Sequence, residues 1–229
     1  RLWAITHADN VAMREVFASS GLSMEEHVEG GDMEVELSLT PTDRSVLQSE
    51  WRERVATTAS LRPFFHPQAV AVIGASRAPQ SIGYRLLDAL NSSGFHGRCY
   101  AINPHATTIA GLRTYPSLRA LPGPVDLAVI VVPKDAVLSA VDDCAATGVR
   151  ALVVITAGFA EVGAEGRRLQ DQLLDKVRQQ GLRMVGPNCF GILNTDPAVR
   201  LNATFTSTFP PAGSIAMSSQ SGALGLALL

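Results

Sequence analysis

Apolar residues follow two different periods along this chain, and the change of period divides it. From position 69 onward, short unbroken apolar runs rich in β-branched residues alternate with stretches of helical period. The runs are Ala69–Ile73, Cys99–Ile102, Leu127–Val132 within Val125–Val132, Ala151–Ile155 and the short Met184-Val185 that ends Arg183–Val185. A run with no polar break predicts a strand buried on both faces. Between them, apolar positions in Tyr84–Leu90, Ala136–Thr147 and Ala164–Gln180 recur every three or four residues; Gly148 and Gly181 follow the last two as stop signals. Buried strands alternating with amphipathic helices predict an α/β domain: a Rossmann-like, doubly wound parallel sheet with right-handed crossovers.

The first forty residues have a different rhythm. Leu2–Thr6 predicts a short strand. Asp9 and Asn10 cap a helix with Val11, Ala12, Val16 and Phe17 along one stripe and Gly21 at its end. Glu34–Leu39 alternates polar and apolar positions, the pattern of a half-buried strand. Residues 41–60 read as a linker, with Ser45–Val55 as a short charged helix, and Phe64 and Phe65 are expected to pack beneath the sheet edge. Beyond Cys189 the pattern is irregular from Phe190 to Pro211. Pro210-Pro211-Ala212-Gly213 marks a boundary. A strand at Ser214–Ser218, a turn at Ser219–Gly222 and a helix from Ala223 complete the expectation.

Composition narrows the class. Of 229 residues, 46% are hydrophobic, enough for a packed core, and the formal net charge of −2 supplies no general attraction to nucleic acid or an anionic membrane. No segment reaches the ~18 consecutive apolar residues of a membrane span. Cys99, Cys144 and Cys189 are widely spaced and odd in number and do not read as a disulfide framework or a zinc site, so a reducing, cytoplasmic setting is expected. No paired carboxylates or metal-ligand spacings stand out.

Candidate chemistry lies at the strand ends. Each buried run finishes in small or turn-forming residues: Gly74-Ala75-Ser76, Asn103-Pro104, Pro133, Thr156-Ala157-Gly158 and Asn188-Cys189. In an open parallel sheet these ends share one edge, where ligands bind, and small residues let a ligand lie against backbone. After Ala69–Ile73, the Gly74 turn and the helix capped by Ser81 can hold a phosphate or diphosphate on backbone N–H groups, with Arg77 as a nearby cation. The dinucleotide glycine fingerprint is incomplete, because Ser76 occupies its second position. An acidic residue at the end of the second strand, needed to grip a ribose, is replaced by Asn103-Pro104. Both facts count against a dehydrogenase-like domain binding NAD.

Taken in order, VAVIGAS (Val70–Ser76), VVP (Val131–Pro133), ITAGFAE (Ile155–Glu161), GPNCFGILN (Gly186–Asn194) and SSQSGALG (Ser218–Gly225) resemble the CoA-binding domain of NDP-forming acyl-CoA synthetases and the succinyl-CoA synthetase α subunit. The resemblance implies a CoA-binding domain over 61–195 and the start of a second, flavodoxin-like ligase domain over 212–229. It implies CoA or acetyl-CoA along the sheet edge. Gly74, Ala75, Ser76 and Ser81 would take the diphosphate, and Asn103 and Pro104 the adenosine end. Val132, Pro133, Thr156, Ala157 and Gly158 would line the pantetheine path, with Asn188 and Cys189 near the thiol. Ser219, Gln220, Ser221 and Gly222 match the helix N-terminus that steadies a phosphohistidine loop. None of His7, His27, His66, His96 or His105 has the setting of that histidine, expected beyond Leu229. No catalytic residue is therefore assigned, and ATP, ADP and Mg would belong to domains outside this stretch.

Asn10, Met13, Phe17 and Gly21-Leu22 resemble the closing segment of GNAT acetyltransferases, which implies that residues 1–40 are the tail of such a domain. In that family the Asn lies near the pantetheine arm, and the aromatic is often a Tyr acting as general acid; Phe17 has no proton to give. The combination is similar to bacterial two-part protein lysine acetyltransferases. Two functions stay open. One is the CoA-binding portion of an ADP-forming acetate–CoA ligase-like protein fused to an acetyltransferase, partnered by its remaining ligase domains, with a homo-oligomer left open. The other is a non-catalytic CoA or acetyl-CoA sensor.

Overall fold

A computed structural model describes residues 1–229, which divide into two compact units, Arg1–Ser60 and Leu61–Leu229. In the first, β1 (Leu2–His7), α1 (Val11–Ala18), β2 (Met24–Glu29) and β3 (Asp32–Leu37) form an antiparallel sheet of order β1-β3-β2. Phe17 of α1 packs on Met33, Val35 and Leu37, the inward positions of β3. Asn10 caps α1, its Oδ1 accepting from the Met13 N–H at 3.1 Å. No apolar period marks strand β2, because every residue of Met24–Glu29, sequence MEEHVE, is exposed after Met24.

The short helix expected at Ser45–Val55 is far longer: α2 runs from Asp43 to Phe65. No glycine interrupts it, and its only proline, Pro63, falls in the last turn, so good helix formers propagate without a break. Phe64 is 2% exposed in the second unit's core, as expected, whereas Phe65 is 44% exposed and packs beneath nothing.

The second unit contains β4 (Ala69–Ile73), α3 (Ile82–Ser92), β5 (Arg98–Ile102), β6 (Thr108–Ile109) and β7 (Leu112–Tyr115). It continues through β8 (Leu127–Ile130), α4 (Lys134–Ala146), β9 (Ala151–Val154), α5 (Ala164–Gln179) and β10 (Arg183–Val185). The seven-stranded sheet has the order β10-β9-β8-β4-β5-β7-β6, parallel except for the β6–β7 pair. The doubly wound expectation holds. Alternate residues of each strand face opposite layers. Ala71, Ile73, Ala128, Ile130, Leu152 and Val154 meet α4 and α5 through Val137, Val141, Leu173 and Val177. Val70, Val72, Leu127, Val129 and Val153 meet Phe64 and Leu86, Leu87 and Leu90 of α3. Asp126 fixes the register at the start of β4: its Oδ2 accepts from the Gln68 and Ala69 N–H groups at 2.7 and 3.0 Å.

The stretch Phe190–Pro211 is not irregular. It holds an antiparallel pair, β11 (Gly191–Asn194) and β12 (Leu201–Thr204), with Leu201 and Ala203 completing the core over α3. Arg200 and Ser93 pin it there: the Arg200 Nε–H donates to the Ser93 carbonyl at 2.7 Å and the Ser93 hydroxyl to the Arg200 carbonyl at 2.9 Å. The strand expected at Ser214–Ser218 does not form. Nothing pairs with it, Ile215 is 94% exposed, and an isolated strand has no partner for its backbone groups. Helix α6 (Gly222–Leu228) follows, capped by Ser221. No helix is long and apolar enough to cross a membrane.

Leu152 has no exposed surface and lies between the sheet and the α4/α5 layer. Leu152→Ala should lower unfolding free energy by about 2–5 kcal/mol, measured by urea denaturation, because the cavity cannot close against a sheet buried on both faces.

Candidate functional site

Parallel pairing carries the carboxyl ends of β4, β5, β8, β9 and β10 to one edge of the sheet. The chain leaves β4 toward β5 on one side and later returns to β8 on the other, so a crevice opens at this reversal. It is a cleft of about 250 Å³ lined by Gly74, Asn103, Pro104, Val132, Ser117, Ser139 and Asp143 among others. Four of the expected residues therefore share one cavity.

Gly74 is what lets β4 end here. Its φ is +93°, and a Cβ would stand 2.9 Å from the Val131 carbonyl carbon and the Val132 nitrogen. Any side chain would push the turn off β8 and into the cleft. The Asn103 side chain joins the neighbouring ends. Its Nδ2 donates to the Ala75 carbonyl at 2.6 Å and its Oδ1 accepts from the His105 N–H at 2.7 Å. Ala75 itself turns its methyl into the core, so only its backbone is available to a ligand. The Ser76 hydroxyl accepts from the Ala78 N–H at 3.2 Å, and the Ser81 hydroxyl caps α3 by accepting from the Tyr84 N–H at 3.2 Å.

Farther along the edge, the Thr156 hydroxyl donates to the Val132 carbonyl at 2.7 Å, and the Thr156 carbonyl accepts from the Asn188 N–H at 3.0 Å. These two bonds tie the ends of β8, β9 and β10 into one wall, with Pro133 and Ala157 exposed on it. Gly186, φ +99°, approaches the Val154 carbonyl so closely that a Cβ would overlap that oxygen. That contact accounts for the glycine of the GPNC segment. The Cys189 thiol donates to the Val154 carbonyl at 3.3 Å, and burial pushes it up to about 11, so it is a packed thiol rather than a nucleophile. Ser219, Gln220 and Ser221 lie exposed; Gly222 rests against Phe190, its Cβ position 3.3 Å from the Phe190 Cβ.

The sequence reading missed Ser117, Ala136, Ser139, Ala140 and Asp143, all on the cleft wall. A usable signal existed: Ala136, Ser139, Ala140 and Asp143 fall at i, i+3, i+4 and i+7, a small and polar stripe on α4. Ser117 follows β7, a strand too short to stand out. No group of three or more His, Cys, Asp or Glu side chains is placed to hold a metal. Backbone groups, hydroxyls and small side chains line this edge.

Glu161 fastens the loop after β9. Its Oε1 accepts from the Gly158 N–H at 2.6 Å, and that bond holds its carboxyl below the ordinary carboxylate range. A lowered value stabilises the folded loop at pH above the free-carboxylate range, and that contribution is lost as pH falls through the folded value. The Gly158 amide proton should therefore titrate by NMR with a midpoint below that of an ordinary glutamate, and the transition should vanish in Glu161→Gln. A midpoint at or above that value would remove Glu161 as the fastening group.

Comparison with known proteins places this geometry. A family model described as a CoA binding domain matches residues 68–195. The acetate–CoA ligase (ADP-forming) II subunit alpha of Pyrococcus furiosus is 43% identical over 166 residues, 72% of this chain and 35% of that protein. The acetate–CoA ligase (ADP-forming) I of Archaeoglobus fulgidus is 44% identical over 165 residues, 72% of this chain and 24% of that protein. Among solved structures, the dinucleotide forming acetyl-coenzyme A synthetase 1 of Ca. Korarchaeum cryptofilum, in complex with phosphate and ADP, has 47% identity and a TM-score of 0.67, covering 73% of this chain and 35% of that one. These relatives are archaeal, and this chain spans only about a quarter to a third of their length. The chain belongs to the CoA-binding domain family.

Proposed function

We propose that the sheet edge binds CoA or an acyl-CoA, and that this chain is the CoA-binding portion of an ADP-forming acyl-CoA ligase-like protein. The cleft at the β4/β5/β8 ends carries this reading: it is lined by Gly74, Asn103, Pro104 and Val132, in the segment that the family model matches. The diphosphate would sit on the Gly74–Ser76 turn and the Ser81-capped start of α3, where backbone N–H groups and the helix dipole favour an anion. The adenosine end would enter the cleft between Asn103-Pro104 and α4. The pantetheine arm would follow Val132-Pro133 and Thr156–Gly158 toward Asn188 and Cys189. Here the chain supplies position rather than acid–base chemistry: it fixes where the thiol lies, which converts a bimolecular attack into a local one.

The ligase cycle itself, in which a phosphohistidine and an acyl phosphate exchange a phosphoryl group before the thiol attacks, would use domains outside this stretch, and ATP, ADP and Mg belong there. In this reading 61–195 is the CoA-binding domain, 41–60 connects it to what precedes, and 212–229 opens a second ligase domain around Ser219–Gly222. Residues 1–40 are read as the closing segment of a GNAT acetyltransferase on the strength of Asn10, Met13, Phe17 and Gly21-Leu22. Phe17, buried against β3, serves as core there and leaves the piece without a general acid.

Calorimetry on the purified chain should give heat with CoA and acetyl-CoA and none with NAD; tight NAD binding without CoA heat would overturn the assignment. Ser76→Trp places an indole over the β4 turn. It should weaken CoA binding at least tenfold while the circular dichroism spectrum and thermal midpoint stay near those of the parent. A folded variant with undiminished CoA affinity would move the diphosphate elsewhere.

A further inference from the structure

The chain has seventeen arginines and only two lysines, Lys134 and Lys176. Their surroundings differ. Lys176 is held on the outer helical layer, its Nζ 2.6 Å from both carboxylate oxygens of Asp142. Lys134 forms no ion pair. It is the first residue of α4, directly after Val132-Pro133, and is exposed. Its stem lies across the loop after β9: a Cβ at Gly158 would stand 3.0 Å from the Lys134 Cδ. The one unpaired lysine therefore arches over the track between Val132-Pro133 and Thr156–Gly158. Arginine satisfies every other exposed cationic position except the Asp142 pair, and arginine does not attack acyl groups.

We propose that Lys134 is an acylation site, modified by the thioester of an acyl-CoA bound along this same edge; the inference rests on the CoA reading above. The Nζ lone pair attacks the thioester carbonyl carbon. A C–N bond forms as the C–S bond breaks, CoA departs as the thiolate, and the proton lost from nitrogen ends on sulfur, by way of solvent. The products are an N-acyl lysine and free CoA, with no oxidant or reductant consumed. Holding amine and thioester on one wall supplies the proximity that makes an otherwise slow aminolysis local. The product is neutral, so this stretch of the edge loses its lysine cation.

The two lysines make the test internally controlled. The full chain is incubated with acetyl-CoA, and the 42 Da adduct on each lysine is followed by peptide mass spectrometry. A parallel arm uses S-acetyl-N-acetylcysteamine, a thioester of the same reactivity without the nucleotide; another adds excess desulfo-CoA, which can occupy the site but carries no acyl group. Lys134 should be acetylated at least tenfold faster than Lys176 by acetyl-CoA. That preference should fall severalfold with the truncated thioester and be suppressed by desulfo-CoA. Lys134→Arg should abolish the adduct on that peptide. Lack of modification, or modification that the truncated thioester reproduces and desulfo-CoA does not suppress, overturns the proposal. Calorimetry with CoA on the same sample separates the two failures: heat without a Lys134 adduct rejects the acylation alone, and absence of heat rejects the site.

Discussion

A parallel sheet covered on both faces has only its ends to offer a ligand. In this protein the helices α4 and α5 close one face and α3, Phe64 and the β11/β12 pair close the other, so the backbone is open to a large molecule only along the rim. Parallel pairing then does the rest. It sends the carboxyl ends of β4, β5, β8, β9 and β10 to the same rim, and the reversal of strand order at β4 parts two of them into a cleft. The position of the site follows from strand direction and layer packing before any side chain is considered.

What the side chains contribute is permission and linkage. Gly74 and Gly186 are the two places where one strand end presses on its neighbour's backbone, against Val131-Val132 and Val154 respectively, and neither leaves room for a Cβ. Asn103 and Thr156 each bond a backbone group of an adjacent loop, and Glu161 closes its own loop by bonding Gly158, so the ends form a wall instead of loose turns. Buried polar groups left without such partners would cost about 1–3 kcal/mol each. The same residues that shape the surface thus satisfy its backbone groups. The thiols stay out of this chemistry: burial pushes Cys99 and Cys144 up to about 12, well away from a reactive thiolate.

The first unit obeys a different logic. Its antiparallel strands bury one face only, through Phe17, Met33, Val35 and Leu37, which is why its pattern alternates where the second unit's runs are continuous. A continuous helix from Asp43 runs through the stretch where only a short one is expected, because charge at exposed helix positions is compatible with helix propensity.

Local sequence determined the buried strands, the helices between them, the parallel class of the sheet and the small residues at the strand ends. Each depends on side-chain period and on backbone preferences within a few residues. Tertiary structure alone decided the hairpin at Gly191–Asn194 and Leu201–Thr204, whose strands become stable only against α3. It also decided against Ser214–Ser218, which has strand-like residues and no partner to pair with. Ser117, Ser139 and Asp143 reach the cleft by the same kind of nonlocal decision: they stand on β7's exit and on α4, and strand order sets those elements opposite β4. Pairing and packing couple residues far apart in the chain, and no window of sequence contains both partners.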